Sequence, residues 1–199
     1  MELMIEAGLP AGVINFVPSS GPDISDVCLS NPDFAGVHFT GSTAVFQGLW
    51  QRIGEALPNL KSYPRIVGET GGKDFVVAHP VCDEQGLLVA LLRGSFEYQG
   101  QKCSAASRAY VPRSVWGRMG WQLVAEVRKI TMGDARDFTN FMTAVIDQRA
   151  FDKISGYIER AKASDSCEVV IGGGCDDSVG WFIEPTIIVT TDPNYESMI

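Results

Sequence analysis

A chain of 199 residues, 45% hydrophobic and 20% charged, has the make-up of a globular protein long enough to bury a sizeable core in one domain or two. Sixteen basic against twenty-four acidic side chains give a net charge of −8, with no basic stripe to neutralise phosphates, which argues against binding to nucleic acid or an anionic membrane. No stretch approaches the ~18 apolar residues of a spanning helix, and residues 1–20 lack the basic start and long apolar run of a secretory leader.

Residues 1–7 read as the last turns of a helix, with Gly8 in the C′ place and Pro10 blocking continuation. The apolar run 13–17, bounded by Gly12 and Pro18, suits a buried parallel strand. A short helix over 23–31, a strand over 37–40, a helix over 42–56 and a strand over 65–68 follow. Strands separated by helices predict βαβ units and a parallel sheet. A complete dinucleotide fold uses two βαβαβ halves, so residues 1–70 read as the second half of such a domain, and the chain as an internal segment of a longer protein or a truncated gene product.

From Gly71 the pattern changes, and residues 71–199 read as a second domain. Apolar spacing at Leu87, Leu88, Leu91 and Phe96 predicts a helix over 82–98 that delivers the chain into a loop around Cys103. A strand over 107–111, an amphipathic helix over 114–130 and a helix over 147–163 with Asp147 as N-cap come next. Strands over 168–171 and 182–189 close the chain, separated by the Gly172-Gly173-Gly174 turn.

Five cysteines, at 28, 82, 103, 167 and 175, form no CxxC pair, and His38 and His79 lack partners in register, so no metal site is expected. An odd count fits poorly with a disulfide framework and points to a reducing, intracellular compartment. Cys28, Cys82, Cys167 and Cys175 read as structural or incidental. Cys103 differs through its setting, Phe96-Glu97-Tyr98-Gln99-Gly100-Gln101-Lys102-Cys103-Ser104-Ala105. An arbitrary cysteine is usually a small buried hydrophobe. Gly100, Gln101, Lys102 and Ser104 are poor core neighbours, however, and a nearby ammonium favours the reactive thiolate.

Glu69 opens a second glycine-bearing run, Glu69-Thr70-Gly71-Gly72-Lys73. Its plain reading is a solvated carboxylate at a strand end, but two glycines directly after it keep backbone close to a ligand. A thiol and a carboxylate on two glycine-flanked turns supply a nucleophile and a base, as oxidation of an aldehyde through a thioester requires. Gly41-Ser42 lies where a strand hands over to a helix, so N–H groups there can face a pyrophosphate. The run is no G-x-G-x-x-G, and by itself reads equally as a helix cap.

These residues together resemble the aldehyde dehydrogenase family. The general pattern is carried by Glu69-Thr70-Gly71-Gly72-Lys73, Gly100-Gln101-x-Cys103, Phe39-Thr40-Gly41-Ser42 and Phe182-Ile183-Glu184-Pro185-Thr186. Phe96-Glu97-Tyr98 and Lys102-Cys103-Ser104-Ala105-x-Ser107-Arg108 are similar to its pyrroline-5-carboxylate (glutamate semialdehyde) dehydrogenase branch. Phe46, in place of a glycine common in the wider family, is a departure shared with that branch.

The resemblance implies an α/β fold: the second half of a Rossmann-type NAD-binding domain over 1–70, then the first part of an α/β catalytic domain over 71–199. It implies that Cys103 attacks the aldehyde, that its backbone N–H faces the oxyanion, and that Glu69 activates the hydrolytic water. Gly41, Ser42 and Thr70 are implied to hold NAD, and Lys102 and Ser104 to meet the amino-acid end of a small aldehyde substrate. Lys73, Arg108 and the 182–186 run read as mainly structural. A homo-oligomer at full length is also implied, in the bacterial cytoplasm or the mitochondrial matrix of a eukaryote. Two alternatives stay open: another aldehyde as substrate, and a truncated chain without catalysis.

Overall fold

The computed structural model describes all residues, Met1–Ile199, which divide into two compact units, Met1–Thr70 and Gly71–Ile199. In the first unit, α1 (Glu2–Glu6) is closed by Gly8 at φ +92°, with Gly8 N–H donating to Ile5 O and Leu9 N–H to Met4 O, the paired bonds of a glycine-terminated helix. Residues 13–17 form no strand: Val13 and Ile14 bend, with Val13 N–H donating back to Pro10 O, no ladder follows, and Val13, Phe16 and Val17 are exposed. The expectation fails because an apolar pattern cannot supply the neighbouring strand a ladder needs, and the sheet here holds only β1 (Gly36–Gly41) and β2 (Arg65–Thr70).

Helix α2 (Gly21–Ser30) starts where Ser20 Oγ accepts from Asp23 N–H, with Pro22 in the first turn, where a missing N–H costs nothing. Strands β1 and β2 pair in parallel from Gly36↔Arg65 to Gly41↔Thr70, and α3 (Thr43–Ala56) connects them. The unit's core is small: Leu29, Leu49 and Ile53, backed by Phe34, Val37, Phe39, Phe46 and Ile66. β2 extends to Thr70, so Glu69 lies on a strand and not on the turn after it.

The second unit opens with β3 (Asp74–Val77), paired in parallel with β4 (Ala106–Tyr110). The sequence reading misses β3, since three apolar residues are too few for periodicity to mark. Helix α4 (Glu84–Phe96), with Asp83 Oδ1 accepting from Gln85 N–H, turns Leu87, Leu88 and Leu91 toward α5 (Arg113–Val127), which contributes Val115, Met119, Leu123 and Val127. Helix α6 (Gln148–Lys162) is capped by Asp147 Oδ1 accepting from Ala150 N–H at 2.7 Å.

Strand β5 (Cys167–Ile171) pairs antiparallel with β8 (Ile187–Thr190), and β6 (Cys175–Asp176) with β7 (Phe182–Ile183). The single strand expected over 182–189 is therefore broken. Pro185 has no N–H for a ladder, and the flanking side chains bond the glycine turn instead: Glu184 Oε2 accepts from Gly174 N–H at 3.0 Å and Thr186 Oγ1 from Gly173 N–H at 2.9 Å. No helix is long and apolar enough to cross a membrane.

Candidate active site

The expected helix over 82–98 ends at Phe96, and the chain reverses through a 3₁₀ turn, Glu97–Gly100. Tyr98 (φ 53°, ψ 41°) and Gln99 (φ 57°, ψ 25°) are left-handed, as is Gly100 at φ 67°. Each left-handed non-glycine residue costs about 1–2 kcal/mol, so side-chain contacts must hold the turn. Gly100 is required twice over: its φ suits glycine, and a Cβ there would meet Ser95 O at 2.8 Å. Lys102, Cys103 and Ser104 follow in a turn closed by Ala105 N–H donating to Lys102 O, which leaves all three residues exposed. Gly72 lies alongside, since a Cβ on it would stand 3.6 Å from Cys103 O.

Three interactions that the sequence did not announce fasten this loop. Gln99 Nε2 donates to Thr143 Oγ1 at 2.8 Å and to Ala144 O at 3.2 Å. Gln101 Oε1 accepts from Ile146 N–H at 2.9 Å. Glu97 Oε2 accepts from Lys102 Nζ at 2.9 Å, while its other oxygen pairs with Arg93 one helical turn earlier. The hydrogen bond from Lys102, and then the Arg93 charge, hold the Glu97 carboxyl below its usual range. One of the three donors of Lys102 is thus engaged by protein, and the side chain stays open to solvent.

Arg108 and Lys73 have the structural setting expected of them. Arg108 Nε donates to Lys73 O at 3.0 Å, its guanidinium lies 5.5 Å from the Phe75 ring centroid, and it also bonds Met198 O. Lys73 Nζ donates to Ser197 O at 2.8 Å; burial, then the Arg108 charge, push its ammonium below the usual lysine range.

The remaining candidates cluster in the first unit, at the carboxyl ends of two parallel strands. Thr40 pairs with Glu69 and Gly41 with Thr70, so these four residues form one edge of the ladder. Ser42 caps α3, its Oγ accepting from Val45 N–H at 3.3 Å, and the first turn carries no acidic side chain. Strand ends followed by a helix whose first turn holds no carboxylate suit a phosphate-bearing cofactor, with Glu69 the one acid on this end of the ladder. Phe46 packs here with its ring over Gly68, where a Cβ would stand 2.0 Å from the ring, and stacks on Phe39 at 5.8 Å between centroids. Glu69, Gly41, Ser42 and Thr70 therefore belong to one unit, and Lys102, Cys103 and Ser104 to the other.

The aldehyde dehydrogenase family matches residues 1–198. A mitochondrial delta-1-pyrroline-5-carboxylate dehydrogenase of Dictyostelium discoideum is 52% identical over 99% of this chain and 36% of its own length. Its counterpart in Agaricus bisporus is 47% identical, over 100% of this chain and 36% of its own length. Among solved structures, the delta-pyrroline-5-carboxylate dehydrogenase of Mycobacterium tuberculosis bound with NAD superposes with a TM-score of 0.92 at 53% identity, over 96% of this chain and 36% of that one. The chain spans about a third of the length of the relatives it matches.

Proposed function

The chain belongs to the aldehyde dehydrogenase family, and on that premise we propose that the enzyme carrying it oxidises L-glutamate 5-semialdehyde, the open form of 1-pyrroline-5-carboxylate, to L-glutamate with NAD⁺. The observation that carries this reading is the exposed Cys103 turn, with Lys102 and Ser104 on either side of the thiol, in a chain 52% identical to a delta-1-pyrroline-5-carboxylate dehydrogenase. Cys103 is the nucleophile: its sulfur forms a bond to the aldehyde carbon and negative charge moves to oxygen, where the Cys103 N–H can meet it. Loss of hydride from that carbon leaves a thioester. When bound, NAD⁺ supplies the hydride acceptor, and Gly41, Ser42 and Thr70 are the residues of this chain that would hold it.

Glu69 takes a proton from water, the hydroxide adds to the thioester carbon, and the thiolate leaves, releasing the carboxylate. Lys102 offers its remaining donors, and Ser104 its hydroxyl, to the charged end of the substrate. With a mitochondrial relative at 52% identity, the enzyme is read as a matrix protein if eukaryotic and a cytoplasmic one if bacterial, and the complete protein as a homo-oligomer.

The test uses the complete enzyme and separates the two roles. Cys103→Ala abolishes reduction of the cofactor altogether, because no covalent intermediate can form. Glu69→Gln leaves a single-turnover burst of reduced cofactor and slows the steady state, because the thioester forms and then waits for water. Full steady-state activity in Glu69→Gln removes Glu69 from the mechanism.

A further inference from the structure

We propose that Gln99 and Gln101 are positioning residues that pin the Cys103 loop onto residues 143–146 by bonds of opposite sense, one side chain donating and the other accepting. The inference rests on Cys103 being the nucleophile, and it assigns work to two side chains that touch neither substrate nor cofactor in the mechanism above. The sense of each bond is set by its partner. Ala144 O can only accept, so the Gln99 amide must present its nitrogen there, at 3.2 Å, with Thr143 Oγ1 at 2.8 Å taking the second hydrogen. Ile146 N–H can only donate, so Gln101 must present its oxygen, at 2.9 Å.

The receiving segment is itself fixed: Val145 is buried, and its N–H donates to Trp181 O at 2.9 Å. The delivering segment is the left-handed stretch Tyr98, Gln99 and Gly100, a conformation that persists only where its surroundings hold it. The two glutamines flank Gly100, and Gln101 stands two residues before the thiol. Together they set where Cys103 is presented. Positioning of a nucleophile to within a fraction of an ångström is worth up to about a hundred-fold in rate.

The donor–acceptor difference gives a signature that neither size nor general stability reproduces. In the complete enzyme, Gln101→Glu keeps an acceptor for Ile146 N–H and holds kcat within about threefold, whereas Gln101→Ala lowers it roughly ten-fold or more. Gln99→Glu behaves in the opposite way, because a carboxylate facing Ala144 O has no hydrogen to give, and kcat falls roughly ten- to a hundred-fold with KM little changed. Gln99→Gly guards against misfolding: glycine suits the left-handed backbone, so the thermal midpoint holds while kcat still falls.

A second readout is independent of the substrate. Hydrogen exchange at residues 98–104 quickens roughly five-fold in Gln99→Glu, Gln99→Gly and Gln101→Ala, and stays at the wild-type rate in Gln101→Glu. If the wild-type enzyme leaves glutamate semialdehyde unoxidised, the substrate reading fails, and exchange still decides whether the loop is pinned in this way. Equal kcat in all four variants and wild type, equal loss in Gln101→Glu and Gln101→Ala, or unchanged exchange throughout overturns the proposal.

Discussion

Gly68 and Phe46 show how one residue choice fixes another. The Phe46 ring occupies the place a Cβ on Gly68 would take, at 2.0 Å, and also stacks on Phe39. Gly68→Ala therefore forces Phe46 out of its rotamer and costs about 1–3 kcal/mol of unfolding free energy, measured by chemical denaturation. In a Phe46→Gly background the same substitution costs much less, and the double-mutant cycle reads the coupling directly. Lys102 invites a second residue-level test, because its ammonium already bonds Glu97 at 2.9 Å. If it also meets the substrate, Lys102→Met lowers kcat/KM for glutamate semialdehyde roughly ten- to a hundred-fold while simple aldehydes suffer much less. Equal loss for both classes would leave Lys102 as Glu97's partner alone.

Between the end of α4 and the start of β4, the polypeptide must turn back within a few residues and still present a thiol. The helix stops at Phe96 because three successive left-handed residues follow, and the Arg93–Glu97–Lys102 ion network spans that stop. Glu97 is the shared anion, its carboxyl held low first by the hydrogen bond from Lys102. A carboxyl whose folded pKa is lowered adds stability that is present above its unfolded pKa and lost as pH falls through the folded value. The thermal midpoint of Glu97→Gln should thus fall below that of wild type near pH 7. The difference should close as pH drops below the ordinary glutamate pKa of about 4.3. A gap that persists undiminished at acid pH would mean Glu97 acts through packing and not through charge.

On the scale of the whole molecule, stability is unevenly distributed. The second unit buries Leu87, Leu88 and Leu91 of α4 against Val115, Met119, Leu123 and Val127 of α5, while the first relies on Leu29, Leu49 and Ile53. Met119, 1% exposed, is near the limit of burial, and Met119→Ala should cost about 2–5 kcal/mol. Hydrogen exchange should accordingly be slowest in α4 and α5 and fastest over residues 9–20, where no ladder protects the backbone. Every sheet has two strands, and Val67, Phe75 and Val77 on them are exposed. Isolated two-stranded sheets with apolar faces are marginal in water. The 199-residue chain by itself should therefore bind a hydrophobic dye and self-associate in sedimentation velocity. A monomer with one sharp melting transition would contradict this.

What the sequence determined by itself were the features written in local chemistry. Gly8 ends a helix because only glycine is at ease at its φ, Ser42 and Asp147 cap helices because their oxygens accept from N–H groups three residues on, and the apolar spacing of α4 and α5 marks the faces that meet. The runs around Cys103 and Glu69 were legible for the same reason, since glycines beside a thiol and a carboxylate are poor core material. Only the tertiary structure decided what depends on partners distant in sequence. It left residues 13–17 without a ladder, broke the 182–189 run at Pro185, and ended α4 at Phe96, the last residue of its apolar pattern and two short of the expected end at Tyr98. It also brought Gln99 and Gln101 to residues more than forty positions away. An amide side chain has no periodicity to announce its partner, because its bond is chosen by whichever backbone group the fold places opposite it.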